Sequence, residues 1–235
     1  MEKESKLTGL RSLLRGKSVA ESLKELVPLY PEKIVFTTSF GIEDQIITHI
    51  IFNSNLPIEV STLDTGRLFP ETYKVFSETF RKYHKPIKVY FPDHEAVEAM
   101  VTQKGPFSFY NSKENRHECC RLRKVVPLNR ALTGKEVWIS GIRAGQSDSR
   151  NQMDWLEYDE AKKIFKFYPL FYWSFEEVRD FVRLNNVPYN ILHDKGFVSI
   201  GCEPCTRAVS QGEDFRAGRW WWEKGSEKEC GCHVR

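Results

Sequence analysis

Residues 33–45, KIVFTTSFGIEDQ, decide the fold class. The first six residues, KIVFTT, form a short run of apolar and β-branched side chains, which is typical of a buried strand. SFGIEDQ then contains a glycine at a turn, and residues 43–52 carry the pattern of a helix. A strand that passes through a short loop into a helix is the repeating unit of α/β folds.

The same alternation of strand and helix continues along the chain. Further strands are predicted at residues 58–63, 87–91 and 137–142, and further helices at residues 18–29, 70–83 and 95–104. This order predicts an α/β fold with a mostly parallel sheet that is flanked by helices. After Gly145 we expect a hairpin at residues 155–168 and a helix that ends at Leu184, with Ser174 as its N-cap.

We expect two parts in the chain. We expect residues 1–211 to form an α/β core that carries most of the cysteines, and residues 212–235 to form a functional C-terminal tail rich in Trp, Gly, Cys and charge. The boundary near Gln211 is where the periodic patterns end.

Composition excludes several classes of protein. The chain has 235 residues and a formal net charge of +3, from 35 Lys and Arg against 32 Asp and Glu, so no nucleic-acid partner is expected. No apolar run is long enough to span a membrane, and the N-terminus lacks the apolar segment of a signal peptide. These features predict a cytoplasmic protein.

Six cysteines lie in the second half of the chain: Cys119, Cys120, Cys202, Cys205, Cys230 and Cys232. In a reducing compartment such cysteines more often bind metal or catalyse than form disulfides. The four thiolates of the first two pairs suit either tetrahedral zinc or an iron–sulfur cluster. Adjacent cysteines are uncommon in zinc sites, so we favour a four-iron cluster. A disulfide or independent buried thiols are the alternatives.

Basic residues follow the first cysteine pair. In a helix that starts there, Cys120, Arg123 and Lys124 share one face. Cations near an anionic cluster would offset its charge, although a solvated basic face is the plainer interpretation.

Loops after the predicted strands carry groups suited to an anionic nucleotide. SFGIEDQ and residues 63–72, LDTGRLFPET, follow the first two strands, and residues 141–150, GIRAGQSDSR, follow the fourth. Ligands bind at this end of strands in open α/β sheets. Arg143 and Arg150 can bind phosphate, and residues 215–220, FRAGRW, add two more arginines. Ordinary turns between strand and helix, and arginines that only carry surface charge, are the alternatives.

The chain ends on residues 229–233, ECGCH. Neighbouring basic groups can lower the pKa of Cys230 and favour its thiolate, which is the nucleophilic form. A metal-binding or inert tail is the alternative.

Together, and in this order, the segments SFGIEDQ, LDTGRLFPET, CCRLRK, GIRAGQSDSR, GCEPCTR, EDFRAGRWWW and ECGCH resemble the adenylyl-sulfate and phosphoadenylyl-sulfate reductases of sulfate assimilation. The resemblance runs from about Lys33 to the C-terminus. It implies an adenine nucleotide α-hydrolase-like fold and a [4Fe-4S] cluster held by Cys119, Cys120, Cys202 and Cys205.

The resemblance also implies roles for individual residues. Cys230 is the implied nucleophile. The implied phosphosulfate ligands are Lys124, Arg216, Arg219 and His233, and the implied nucleotide-binding residues are Ser39, Gly41, Leu63, Asp64, Gly66, Arg143 and Arg150. Where the family usually has Leu in its ECG-Leu-His ending, this chain has Cys232, a second thiol that could compete with Cys230.

The implied activity is reduction of adenylyl sulfate to sulfite and AMP through an S-sulfocysteine, with thioredoxin or a glutaredoxin-like protein as the reductant. The 3′-phosphorylated substrate, or both substrates, is the first alternative. An ATP-dependent sulfurtransferase acting on tRNA and a nucleic-acid-binding zinc module are the rivals from other classes. The sequence leaves open whether the chain forms a homo-oligomer.

Overall fold

The computed structural model describes residues 2–223, which form two compact units. The first unit contains residues 2–61, 74–88 and 134–190. The second contains residues 62–73, 89–133 and the described residues from 191 to 223. The division predicted near Gln211 stays a prediction, because residues 224–235 lie outside the described part of the chain.

Nine α-helices are described: α1 Glu2–Leu14, α2 Val19–Leu29, α3 Ile42–Asn53, α4 Pro70–Tyr83, α5 His94–Lys104, α6 Lys113–Cys120, α7 Val126–Leu132, α8 Asp148–Asn151 and α9 Phe175–Leu184. The strands are β1 Ile34–Thr38, β2 Glu59–Leu63, β3 Lys88–Tyr90, β4 Val137–Ile139, β5 Leu156–Asp159 and β6 Ile164–Phe167. Among residues 2–223, no helix is long and apolar enough to cross a bilayer.

The strands form one sheet in the order β3-β2-β1-β4-β6-β5. β1 pairs with β4 in parallel, and β4 pairs with β6 in parallel. β5 and β6 are antiparallel, which confirms the predicted hairpin. The expectation of a mostly parallel sheet is therefore confirmed, with a hairpin at one edge.

The first unit has a hydrophobic core to which β1, α2 and α3 contribute. Ile34 and Phe36 of β1 are buried, and Leu23 and Leu26 of α2 are fully buried with them in one core. Residues 42–52 of α3 are all buried, including the polar side chains at the start of the helix. A helix buried on every face has no solvent for its polar groups, so these must find partners inside the protein.

Helix ends follow the expected capping chemistry. Ser174 caps α9 and forms a reciprocal capping box with Glu177, and Ser18 does the same with Glu21 at α2. Each box satisfies backbone groups that the first helical turn would otherwise leave unpaired.

The second unit has its own small core of Met100, Phe109, Cys119, Cys205 and Trp220. The predicted helix that starts at the cysteine pair is wrong in its bounds. α6 begins at Lys113, where Ser112 caps it, and the cysteine pair closes it. A π-helical turn, Arg121–Val125, then leads into α7.

Candidate active site

The loop after β1 folds back onto the first turn of α3. The backbone N–H of Ser39 donates to the Asp44 carboxylate at 2.6 Å, and the Ser39 hydroxyl donates to it at 2.7 Å. Gly41 is the N-cap of α3, and because it has no side chain it cannot cap the helix with one. The loop is therefore fixed by a side chain of the helix that follows it.

The same carboxylate also holds the loop after β4. Gly141 N–H donates to Asp44 Oδ1 at 3.1 Å. Burial is the largest influence on this carboxyl and raises the pKa of Asp44 to about 6, while the Ser39 and Gly141 hydrogen bonds oppose the rise. Asp44 thus joins two loops that follow neighbouring parallel strands, at the edge of the sheet where nucleotides bind in such folds.

Arg143 lies in a second buried network beside this one. Arg143 Nε donates to Glu43 Oε1 at 2.8 Å, and Gln146 Nε2 donates to the same oxygen at 3.0 Å. Arg150 is also buried and donates to Gln146. Gln146 therefore links Arg150 to the network of Arg143 and Glu43, and the role of the two arginines as phosphate ligands stays a prediction.

In the second unit, the segment after β2 forms a tight turn around Asp64. Asp64 Oδ1 accepts from the backbone N–H of Gly66 at 2.8 Å and from the Tyr73 hydroxyl at 2.9 Å. Gly66 has a φ of 70°, which favours glycine. Leu63 is the last residue of β2. Burial and the neighbouring Asp64 carboxylate raise the pKa of Tyr73 to about 12.

The four paired cysteines come together in the second unit. Cys119, Cys120, Cys202 and Cys205 line one cavity of about 20 Å³. All four are free thiols, so the alternative of a disulfide between the pairs is wrong. Cys202 is the N-cap of the short 3₁₀ turn Glu203–Cys205, and Cys205 is its last residue. The hydroxyl of Thr65 lies 3.3 Å from the Cys202 sulfur.

Four cations surround the thiols. Arg67, Arg116, Arg123 and Lys124 line the cavity with the cysteines. Burial raises the pKa of the Cys205 thiol to about 12 and also raises that of Cys119, and nearby Arg123 partly opposes the rise at Cys119. A bound metal would therefore favour the ionised form of Cys119 and Cys205.

The thiols do not converge on a single point. Over residues 2–223, no group of three or more His, Cys, Asp or Glu side chains is arranged to hold one metal ion. A single tetrahedral zinc ion requires its ligands to meet at one centre. In a four-iron cluster each thiolate bonds a different iron, so its ligands need only surround a common space.

The last described segment packs beside the cysteines. Arg216 and Arg219 are buried, and the Arg219 guanidinium lies 4.7 Å from the centre of the Trp220 ring. Trp220 donates its backbone N–H to the carbonyl of Cys205 at 3.2 Å and has a φ of 43°. A bulky residue in this left-handed region is held there by its surroundings. Arg219 Nε is buried without a hydrogen-bond partner among the described residues.

The predicted nucleophile Cys230, its neighbour Cys232 and the predicted ligand His233 lie outside the described residues. Several groups of the site were not predicted from the sequence. Glu43 and Asp44 lie in SFGIEDQ, and two adjacent carboxylates at the start of an otherwise apolar predicted helix were a usable signal. Arg67 and Arg116 gave no signal in the sequence, since their role depends on partners far along the chain.

Comparison with known proteins identifies the family. Residues 33–208 match the phosphoadenosine phosphosulfate reductase domain. An adenosine 5′-phosphosulfate reductase of Agrobacterium fabrum is 46% identical over 202 residues, which is 86% of this chain and 78% of that protein. One from Neisseria meningitidis serogroup B is 48% identical over 199 residues, which is 84% of this chain and 81% of that protein.

Solved structures agree on the fold. A phosphoadenylyl-sulfate reductase from Candida auris, in complex with phosphate, superposes with a TM-score of 0.74 at 28% identity, covering 86% of this chain and 96% of that one. An FMN adenylyltransferase from Candida glabrata, at a TM-score of 0.54 and 16% identity over 88% of this chain and 66% of that one, shares the fold alone. By the extent of these matches, the chain belongs to the phosphoadenosine phosphosulfate reductase family.

Proposed function

We propose that this chain is an oxidoreductase that reduces adenosine 5′-phosphosulfate to sulfite and AMP in sulfate assimilation. The observation that carries the proposal is the set of curated relatives at 43–50% identity that bear this name. The four thiols around one cavity support it, because they make a cofactor site in a family whose chemistry handles sulfur.

The proposed chemistry has two steps. The Cys230 thiolate attacks the sulfur of the sulfate group, the bond from that sulfur to the phosphate oxygen breaks, and AMP leaves with the electron pair. Cys230 is then an S-sulfocysteine. One thiolate of a small dithiol protein, such as thioredoxin, attacks the Cys230 sulfur and releases sulfite. The second thiol of that protein resolves the mixed disulfide, so the dithiol supplies the two electrons.

The cations near the cysteines suit the first step. A thiolate, a sulfate group and a phosphate must approach one another, and fixed positive charge lowers the cost of bringing these anions together. Lys124, Arg216, Arg219 and His233 are the proposed phosphosulfate ligands. Ser39, Gly41, Leu63, Asp64, Gly66, Arg143 and Arg150 are proposed to bind the nucleotide or to shape the loops that bind it.

A [4Fe-4S] cluster is the proposed cofactor. Cys119, Cys120, Cys202 and Cys205 would hold it, since all four thiols line one cavity and the adjacent cations can offset its negative charge. When bound, the cluster supplies local charge and structural order, while the electrons come from the dithiol. We also propose a cytoplasmic location, because four free thiols in one cavity suit a reducing compartment.

Two alternatives keep the same fold. Use of the 3′-phosphorylated substrate, or of both substrates, would keep the chemistry and change only the recognition of the ribose. An ATP-dependent sulfurtransferase would require ATP and a serine- and glycine-rich phosphate loop, and SFGIEDQ lacks the second glycine and final serine of that loop.

The test compares two substrates and two cysteine variants. Protein purified without oxygen, supplied with thioredoxin and its reducing system, should release sulfite from adenosine 5′-phosphosulfate in strong preference to its 3′-phosphorylated form. Cys230→Ser should abolish release, and Cys232→Ser is the matched control that should retain it. Absence of sulfite from both substrates, with an intact cluster, would discard the reductase activity.

The cofactor has its own test. Cys205→Ser should lower the iron and acid-labile sulfide of the purified protein, whereas Cys232→Ser should leave both at the parent level. Zinc in place of iron in the parent protein would overturn the cluster and revive the zinc-module alternative.

A further inference from the structure

Arg116 is a buried cation that the proposed chemistry does not use. It lies on α6 three residues before Cys119, and its side chain is 1% exposed. Its Nε donates to Glu223 Oε1 at 2.8 Å and its Nη2 donates to Glu223 Oε2 at 2.8 Å. This two-pronged geometry is the strongest that an arginine forms with a carboxylate.

The same guanidinium lies among the groups of the cysteine cavity. Arg116 lines that cavity, and Cys120 is one of the groups that interact with its side chain. The guanidinium also lies 4.7 Å from the centre of the Trp220 ring. One side chain therefore connects the helix that carries Cys119 and Cys120 with the segment that contains Trp220 and Glu223.

Glu223 is the last residue that the structure describes, and Cys230 follows it by seven positions in the sequence. Seven residues span at most about 25 Å when fully extended. The backbone leading to Glu223 is also fixed, because Glu223 N–H donates to the carbonyl of Trp220 at 2.9 Å. The position at which Glu223 is held is therefore the starting point of the seven residues that lead to Cys230.

We propose that the Arg116–Glu223 ion pair is a positioning device that fixes the point from which the C-terminal segment leaves the cysteine-bearing unit, and so limits where Cys230 can react. Arg116 and Glu223 are positioning residues in this proposal, since neither is required to touch the substrate. The inference rests on the proposed function in one respect, namely that Cys230 is the nucleophile.

Breaking the pair should slow the first chemical step without weakening substrate binding. In Glu223→Gln the side chain keeps its size, but its NH₂ group would face the donors of a guanidinium that is already buried. We expect the rate of S-sulfocysteine formation to fall at least fivefold. The KM for adenosine 5′-phosphosulfate and the iron content should stay near the parent values, because the proposed substrate and cluster ligands are unchanged.

The experiment uses the full chain with its cluster, purified without oxygen. A single turnover without reductant is followed by intact mass, which reports the added sulfonate on Cys230. Glu213→Gln is the matched control, because Arg207 and Glu213 form another two-pronged pair in the same unit at 2.8 and 2.8 Å. This control should react at the parent rate. Glu223→Asp keeps the charge and should fall between the parent and Glu223→Gln.

A second measurement does not depend on activity. Trypsin cleaves after Lys224, and a backbone held at Glu223 resists cleavage next to it. Cleavage at this bond should be at least fivefold faster in Glu223→Gln and unchanged in Glu213→Gln.

The outcomes separate the two proposals. If the parent forms no S-sulfocysteine, the proposed function fails. The tryptic cleavage rates would still show whether the Arg116–Glu223 ion pair holds the backbone at Glu223. If Glu223→Gln matches the parent both in S-sulfocysteine formation and in tryptic cleavage, the positioning role of the Arg116–Glu223 ion pair is refuted. Loss of iron together with loss of rate would also refute it, since the pair would then serve only to hold the fold around the cluster.

Discussion

Gly141 offers the sharpest test of how the two nucleotide loops are held together. A Cβ added at this position would overlap Asp44 Oδ1, and it would lie 3.1 Å from Glu43 Cβ and 3.2 Å from Asp44 N. The last two atoms belong to the buried first turn of α3 and have no room to move. The loop after β4 must therefore shift away, which lengthens the hydrogen bond from Gly141 N–H to Asp44.

The cost of Gly141→Ala follows from these contacts. Overpacking a buried site costs about 1–3 kcal/mol. A hydrogen bond to a charged group contributes about 1.5–3 kcal/mol. Because one displacement causes both losses, they do not simply add, and we expect a destabilisation of about 3 kcal/mol. For a protein of this size that corresponds to a fall in Tm of roughly 6–12 °C.

Gly145→Ala is the matched control in the same loop. Its added Cβ would lie 3.7 Å from Arg143 Nη1, which is an ordinary contact. Thermal unfolding by circular dichroism should therefore separate the two variants. Gly141→Ala should also raise the KM for adenosine 5′-phosphosulfate about tenfold, because Asp44 positions Ser39 as well as Gly141. A Tm within about 2 °C of the control would refute the argument that the two loops share one carboxylate.

Three other predictions concern buried polar groups and a helix cap. The pKa of Asp44 is raised by burial from 3.8 to about 6, so its contribution to stability is fully present below pH 3.8 and is lost as pH rises to about 6. Urea unfolding between pH 3 and 7 should show a fall of about 3 kcal/mol that Asp44→Asn removes. An equal fall in the variant would contradict this origin. Arg143→Met should cost roughly 3–5 kcal/mol by leaving the Glu43 carboxylate buried and short of a cation, and adding Glu43→Gln should restore much of the loss in urea unfolding. Ser174→Ala should cost about 1 kcal/mol in the same assay through loss of the α9 cap, and no change would mean that the cap is redundant.

The fold was largely predictable because its signals are local. Runs such as KIVFTT are apolar and β-branched over a few residues, and Ser174 followed three residues later by Glu177 marks a helix start within one turn. The structure agrees with both. The bounds of β4 differ, because Gly141 N–H bonds to the Asp44 carboxylate and the segment has already left the sheet.

The parts of the site that sequence could not predict depend on distant partners. Arg143 pairs with Glu43, which lies 100 positions away, and Arg116 pairs with Glu223, which lies 107 positions away. No periodicity or spacing rule connects such residues. The π-helical turn after Cys120 is equally invisible, since its residues carry no composition that distinguishes it from an α-helix.

The predicted anion-binding arginines can be divided by the hydrogen bonds they already make. Arg143 donates from Nε to Glu43 and from Nη1 to the carbonyl of Trp173 at 3.2 Å, so these two nitrogens are engaged inside the first unit. Arg219 is equally buried, yet its Nε has no hydrogen-bond partner among the described residues. An unsatisfied buried donor costs about 1–3 kcal/mol. A protein can tolerate this cost in the free state where a bound ligand supplies the missing acceptor. We therefore expect Arg219 to contact the phosphosulfate directly.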